Sequence, residues 1–237
     1  YDNDTEIGTA VVQTDGTWSF TPPEALDEGQ HIFTTTATDV AGNTGILSPG
    51  FTLNVDNTAP TQPGAPTISD NRDPVIGVVT NGNTNDTTPT FSGTGTAGDV
   101  ISVYLDDNTT PLGTAIVDAD GNWSFTPQTD LPEGSYQITI TATDPAGNIS
   151  EPSTAISLNI DLTPPAAPTI DTVNDNAGTY TGNLANGAIT DDNTPTINGR
   201  GIDGTTITLY NGTTVIGTAT VTEGQWSITP ATPLTDG

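Results

Sequence analysis

The residues of this sequence best suited to chemistry are Asp and Asn side chains that recur in short turn motifs. The stretches TATDVAGN (36–43) and TATDPAGN (141–148) lie 105 positions apart, so Asp39 corresponds to Asp144. Ca²⁺ takes about six to eight hard oxygen ligands from carboxylates, amides, backbone carbonyls and water. A turn of this composition offers several such oxygens within a few residues. Asp39, Asp144 and Asn148 are therefore candidate calcium ligands.

Further acidic positions recur or cluster in the same way. Asp56 and Asp161 each precede a stretch with Thr and Pro, DNTAP and DLTPP, where one folded module is expected to pass into the next. The stretch DADGN (118–122) matches the first alternating positions of an EF-hand loop, but no Glu follows at the required spacing. We predict Ca²⁺ at the joints between modules, with these candidate ligands: Asp56, Asp161, Asp39, Asp144, Asn148, Asp118 and Asp120.

Turn capping is a second interpretation of the same side chains. Asp accepts hydrogen bonds from backbone N–H groups shortly after it, and Asn tolerates the left-handed backbone conformation. Asp86 and Asp192, each followed by a Thr-Pro segment, are candidate caps of strand starts, and DADGN is also consistent with a plain hairpin turn. For Asp56 and Asp144, ligation and capping stay open together, and the two roles are compatible.

Catalysis has little support in this sequence. His31 is the only His and falls where Tyr136 stands one repeat later, so we predict that it serves neither as a base nor as a ligand. No Ser has a His partner in the same repeat frame. The carboxylates recur from module to module, which indicates a scaffold more than one active site. We predict no enzyme and no catalytic or organic-cofactor residues.

The charge of the chain limits its partners. Asp and Glu number 29 against Arg72 and Arg200, and the net charge is −27. Such a chain repels nucleic acid phosphates and acidic membrane surfaces and attracts cations. It has no Cys, no apolar run of the roughly 20 residues that span a bilayer, and no visible signal peptide. We expect Ca²⁺ and neighbouring modules of the same chain as partners, with neither nucleic acid binding nor membrane insertion.

The elements that must position these carboxylates are short β-strands. From Tyr136 to Thr143, apolar and polar residues alternate, as in a strand with one buried face. Gly, Pro, Asn and Asp fill the gaps between such runs, and no stretch has a helical period. Seven strands are predicted in the central part of the chain, near 66–69, 88–94, 100–105, 112–117, 123–126, 136–143 and 155–160. This number in about 100 residues favours an immunoglobulin-like β-sandwich.

An internal repeat fixes the domain organisation. Trp18, Trp123 and Trp226, each in a G-x-W-S motif, lie 105 and 103 positions apart. A period of about 105 residues indicates tandem domains more than a solenoid. We predict the C-terminal part of one module at 1–56, a complete module at 57–161 and the N-terminal part of a third at 162–237. A less favoured account has the partial modules of two copies completing each other.

The order of strands in such a sandwich predicts which loops share an end. DADGN and DPAGN are expected to lie near the incoming linker at 56–60. Asp86, the acidic pair Asp106 and Asp107, and Asp161 are expected at the opposite end. Trp123 is predicted to pack in or beside the core, with ligand stacking as the alternative.

The motifs DNTAP, TPTFSGTG, GNWSFTP and TATDPAGN together resemble the bacterial immunoglobulin-like repeats of giant surface adhesins, which include biofilm-associated and RTX-type adhesins secreted by type I systems. The resemblance covers the whole chain. It implies an extended rod of tandem all-β sandwiches, secreted to the bacterial cell surface, with Ca²⁺ stiffening the joints. It also implies that the receptor-binding part lies outside this segment.

Two other functions stay open at this stage. One is an Ig-like module that binds a glycan or a host protein, and the other is an accessory sandwich of a secreted enzyme. The Trp recurs in all three segments rather than marking one of them, which favours the stalk.

Overall fold

The computed structural model of this chain describes residues 1–106 and 109–235, so Asp107 of the predicted acidic pair lies outside the described residues. Every regular element in the described residues is a β-strand. The strands are β1 (Gly29–Phe33), β2 (Phe51–Val55), β3 (Thr67–Asp70), β4 (Gly77–Val78), β5 (Asn83–Thr84), β6 (Thr90–Thr94), β7 (Val100–Leu105), β8 (Gly113–Ile116), β9 (Asn122–Phe125), β10 (Gly134–Thr143), β11 (Ile156–Ile160), β12 (Thr169–Asp175), β13 (Gly182–Leu184), β14 (Thr196–Arg200), β15 (Thr206–Asn211), β16 (Thr214–Thr220) and β17 (Gln225–Ile228).

The chain divides into two compact units, Tyr1–Leu162 and Thr163–Gly237. Within the first unit, one four-stranded sheet has the order β4-β3-β6-β9 and one five-stranded sheet has the order β5-β11-β10-β7-β8. These sheets contain all seven predicted strands, and the all-β, immunoglobulin-like fold class is confirmed. The sequence missed β4 and β5, because two residues are too few to show an alternating pattern.

The core of this sandwich follows from the alternation along β10. Ile138, Ile140 and Ala142 are buried, while Thr139 and Thr141 between them are half-buried. β10 lies in the middle of its sheet and pairs with both β7 and β11 in antiparallel register. The buried apolar cluster is Ile68, Phe91, Ile101, Val103, Val117, Trp123, Leu131, Ile138, Ile140, Ala142, Leu158 and Ile160.

The turn DADGN connects the two sheets, contrary to the hairpin interpretation. β8, before the turn, belongs to the five-stranded sheet, and β9, after it, belongs to the four-stranded sheet. Trp123 on β9 is buried and packs against Gly93, where an added Cβ would come within 3.0 Å of the indole nitrogen. The prediction that this Trp packs in the core is confirmed.

Residues 1–56 contain one antiparallel pair, in which His31 of β1 lies opposite Leu53 of β2. In the second unit, one sheet has the order β13-β12-β14-β17 and β15 pairs with β16. Its smaller buried cluster is Ile197, Ile207, Val221, Trp226 and Ile228.

Candidate functional site

Asp144 caps the turn in which it lies. Its Oδ1 accepts hydrogen bonds from the backbone N–H groups of Ala146 (2.9 Å), Gly147 (2.8 Å) and Asn148 (2.9 Å). Its Oδ2 accepts one from the Asn148 side-chain amide at 2.9 Å. These bonds favour the ionised carboxylate and lower the pKa of Asp144, with the Asn148 amide as the largest cause.

The corresponding turn of residues 1–56 repeats this arrangement. Oδ1 of Asp39 accepts from the N–H groups of Ala41 (2.9 Å) and Asn43 (2.8 Å), and Oδ2 accepts from the Asn43 amide at 2.9 Å. The pKa of Asp39 is lowered, and the Asn43 side-chain bond is again the largest cause. The turn-capping interpretation is confirmed for both residues.

Other predicted ligands also form hydrogen bonds with backbone groups. Oδ1 of Asp118 accepts from the N–H groups of Asp120 (3.0 Å) and Asn122 (2.8 Å). Oδ1 of Asp56 accepts from the Thr58 N–H at 3.0 Å. The backbone N–H of Asp161 donates to the Thr84 carbonyl at 2.9 Å, at the opposite end of the sandwich.

The incoming linker lies against the turn 144–148, as predicted. The Asn148 amide donates to the backbone carbonyl of Asp56 at 3.0 Å in addition to its bond with Asp144. Gln62 donates to the Pro152 carbonyl at 2.6 Å. On the other side of the linker, the Thr58 hydroxyl donates to Glu28 at 2.7 Å. Side chains therefore bond the linker to residues before and after it.

Asp99 is the residue of this joint that the sequence analysis missed. It is 4% exposed and therefore buried. Burial raises the pKa of Asp99, and the negative charge of Asp144 raises it further. The sequence offered one indication of its role, a Gly98-Asp99 pair in a predicted loop. Because Thr205 occupies the position corresponding to Asp99 one repeat later, the internal repeat did not mark Asp99 as a recurring acidic residue.

Two carboxylates repel each other in this part of the joint. Asp99 is buried near the like charge of Asp144, whose Oδ2 accepts a hydrogen bond from the Asn148 amide. Within residues 1–106 and 109–235, however, no three His, Cys, Asp or Glu side chains are grouped so that they could hold a metal ion. A Ca²⁺ ion there would therefore need backbone or amide oxygens as well as these carboxylates.

Asp86, at the other end of the sandwich, and Asp192, its counterpart in the second unit, belong to a repeated network. Asp86 accepts from the backbone N–H groups of Thr88 (2.9 Å) and Asn71 (3.1 Å), and Asp192 accepts from those of Thr194 (2.9 Å) and Asn176 (3.0 Å). The hydrogen bonds of Asn176 and Thr194 lower the pKa of Asp192. The prediction that Asp86 and Asp192 cap strand starts is confirmed.

His31 takes the structural place of a tyrosine. Tyr136 donates its hydroxyl to the carbonyl of Pro132, four residues earlier, at 2.8 Å. Nε2 of His31 lies 2.8 Å from the carbonyl of Asp27, also four residues earlier, and Nδ1 lies 2.5 Å from Oδ2 of Asp2. Both partners are acceptors, so the doubly protonated ring satisfies both. The Asp27 carbonyl and then Asp2 raise the pKa of His31.

Among the described residues, no helix is long and apolar enough to cross a membrane. The model of the bacterial Ig-like domain family matches three successive stretches of the chain, 1–57, 62–162 and 166–237. This chain belongs to the bacterial Ig-like domain family. The predicted resemblance to bacterial immunoglobulin-like repeats is confirmed.

Two solved structures are similar to this chain of bacterial Ig-like domains. One is a tetra-tandem repeat from the extending region of a large adhesion protein, with 23% identity and a TM-score of 0.33, covering 93% of this chain and 53% of that one. The other is the BSP domain of a biofilm-associated protein, with 21% identity and a TM-score of 0.26, covering 96% of this chain and 41% of that one. This chain spans about half of the length of either structure. No curated protein sequence matches it.

Proposed function

We propose that this chain is a stalk segment of a bacterial cell-surface adhesin that supports cell adhesion or biofilm formation by spacing a receptor-binding part from the cell. The observation that carries the proposal is the bonded joint within Tyr1–Leu162. Three side-chain hydrogen bonds, from Thr58, Gln62 and Asn148, hold a linker that contains Pro60 and Pro63. Pro restricts the backbone, so such a linker favours a fixed connection over a flexible one.

The burial of two of the three repeated Trp residues supports a spacer over a binding module. Trp123 and Trp226 are 4% and 5% exposed, so neither presents a ring face to a sugar or a peptide, whereas Trp18 is 52% exposed. The strong negative charge suits a chain that stays soluble and apart from its neighbours outside the cell. We propose that the protein lies at the bacterial surface and is secreted by a type I system, as the resemblance to adhesin repeats implies.

Ca²⁺ is the proposed stiffening agent of the joint. Asp99 and Asp144, with oxygens of the Asp56 segment, would hold it, and the ion would supply the positive charge that offsets the repulsion between the two carboxylates. Asp161 would occupy the equivalent linker position after the sandwich. Asp39, Asp118, Asp120 and Asn148 remain candidate ligands in the turns.

Small-angle scattering and thermal unfolding of the whole chain, with Ca²⁺ and with a chelator, test this function. We expect an extended particle that becomes shorter and melts at a lower temperature in chelator. A compact particle in both conditions would overturn the stalk, whereas an extended particle with identical scattering and melting in both would overturn only the role of Ca²⁺.

The variant Asp99→Asn makes the calcium test sharper. Removing the charge of Asp99 should raise the melting temperature in chelator, because the folded state no longer holds that charge beside the like charge of Asp144. The same change should abolish the gain in melting temperature that Ca²⁺ gives. Asp73→Asn, which removes one exposed charge in the same sandwich, is the matched control and should leave that gain intact.

A further inference from the structure

The strand β5 forms a parallel pair in a sheet that is otherwise antiparallel. Asn83 and Thr84 lie beside Asn159 and Ile160 of β11, the last strand before the outgoing linker. The backbone N–H groups of Asn159 and Asp161 donate to the carbonyls of Gly82 (2.6 Å) and Thr84 (2.9 Å). The Asn159 amide adds a side-chain bond to Asn83 at 3.0 Å. The residues that leave the sandwich are therefore bonded along β5.

A buried network fixes β5 to the other sheet. The Thr84 hydroxyl donates to Oδ2 of Asp70, the last residue of β3, at 2.5 Å. The same hydroxyl accepts from the backbone N–H of Asp86 at 2.9 Å, and the carboxylate of Asp86 accepts from the N–H of Asn71. Asp70, Thr84 and Asp86 are all buried. Hydrogen bonds to a charged group in a dry environment are stronger than exposed ones, and an unmatched partner there is destabilising.

The second compact unit contains the same network. The Thr190 hydroxyl donates to Oδ2 of Asp175 at 2.6 Å and accepts from the N–H of Asp192 at 3.0 Å. The segments between the first Asp and the Thr differ in sequence, and the second is one residue longer. The network is thus retained while the loop that it closes changes. Capping a single turn does not require this arrangement.

The network lies between the strands at which the chain enters and leaves the sandwich, so it would resist a pull on the two ends of residues 57–161. The chain enters the sandwich through the linker into β3 and leaves it through β11, so a pull on residues 57 and 162 draws the start of β3 and the end of β11 apart. Because the network ties β3 to β5, the pull slides β11 along β5. A parallel pair under such a pull loads both of its backbone bonds together, whereas a hairpin pulled open at one end loses its bonds one after another.

We propose that β5 and the Asp70–Thr84–Asp86 network form a mechanical clamp that resists the unfolding of residues 57–161 under tension. This inference rests on the proposed stalk function, since a stalk between a cell and a surface carries force. The clamp consists of protein groups alone and needs no metal ion.

Force spectroscopy on the whole chain tests the clamp. The chain has no Cys, so Asn57→Cys and Leu162→Cys give unique attachment points that load the sandwich along the proposed path. Adding Thr84→Val removes the hydroxyl at nearly constant volume. We expect the unfolding rate of residues 57–161 at constant force to rise roughly tenfold.

Two control variants separate the clamp from general stability. Thr190→Val breaks the corresponding network in the second unit and should not change the unfolding of residues 57–161. Val117→Ala removes buried volume from the core and should lower equilibrium stability at least as much as Thr84→Val, yet accelerate forced unfolding less. An effect of Thr84→Val no larger than that of Val117→Ala would overturn the clamp.

The direction of pulling gives a second criterion. Attachment through Gln128→Cys and Leu162→Cys pulls from the end where Gly134 pairs with Ile160, so the β10–β11 hairpin opens bond by bond. We expect a clearly lower unfolding force in that geometry, with little effect of Thr84→Val. Equal forces in the two geometries would overturn the clamp and leave the stalk proposal intact, because the stalk is tested by the shape of the chain in solution.

Discussion

The sandwich of residues 57–161 and the second compact unit share their turn chemistry but differ in their cores. The Asp-Thr-Asp network and the buried Trp are present in both. The apolar cluster has twelve buried residues in the first and five in the second. Five of those twelve lie on β10 and β11, the strands that follow β9, the counterpart of β17. Turns therefore form from local sequence, whereas the core is assembled from strands that are far apart in the sequence.

The largest expected contrast lies at two corresponding core positions. Ile101 is 0% exposed and Ile207 is 7% exposed. Ile101→Ala should lower the free energy of unfolding of its sandwich by about 3–5 kcal/mol, since it leaves a closed cavity. Ile207→Ala should lower that of the second unit by about 1–2 kcal/mol, because fewer neighbours surround the site. Hydrogen exchange in increasing urea, measured by mass spectrometry, gives the free energy of unfolding of each region separately. Equal losses of unfolding free energy in the two variants would contradict the expected difference.

A smaller contrast is expected at the two buried Trp residues. The indole N–H of Trp226 donates to the Arg200 carbonyl at 3.2 Å, whereas that of Trp123 is buried without a partner. Trp226→Phe loses a hydrogen bond worth about 1 kcal/mol in addition to volume, and Trp123→Phe loses volume while removing an unsatisfied donor. We expect Trp226→Phe to destabilise its unit by more than Trp123→Phe destabilises the sandwich, as measured by the same exchange experiment. The reverse order would show that ring volume dominates.

The smallest expected effect concerns His31 and its counterpart Tyr136. The folded state raises the pKa of His31 above its ordinary value of 6.5, so its stabilisation is present below that pH and is lost as the pH rises through the folded pKa. The carboxylate of Asp2 and the carbonyl of Asp27 face the ring, and residues 1–56 contain no Lys or Arg. Amide protection of β1 and β2, corrected for intrinsic exchange, should therefore fall between pH 5.5 and pH 8.5.

The variant His31→Tyr is the control for that pH dependence. A tyrosine at this position can donate to the Asp27 carbonyl as Tyr136 donates to Pro132, and it does not titrate in this range. Protection in β1 and β2 should then be independent of pH. A dependence that persists in the variant would assign the effect to another group.

The sequence by itself determined the seven predicted strands of residues 57–161, the repeat frame and the capped turns of this protein. The alternation of Tyr136–Thr143 reports one buried face, and the bonds of Asp39 and Asp144 reach groups within four residues. Such features depend on neighbours along the chain, so residue type and spacing are sufficient to predict them.

Only the tertiary structure decided the burial of Asp99, the pairing of β5 with β11, the bond from Asn148 to Asp56 and the passage of DADGN between sheets. Asn148 and Asp56 are 92 residues apart, and β5 is too short to carry a period. Contacts of this kind form when two sheets pack and bring distant loops to one end. Packing and topology therefore determine which residues come into contact, and the local sequence around each residue does not predict its partner.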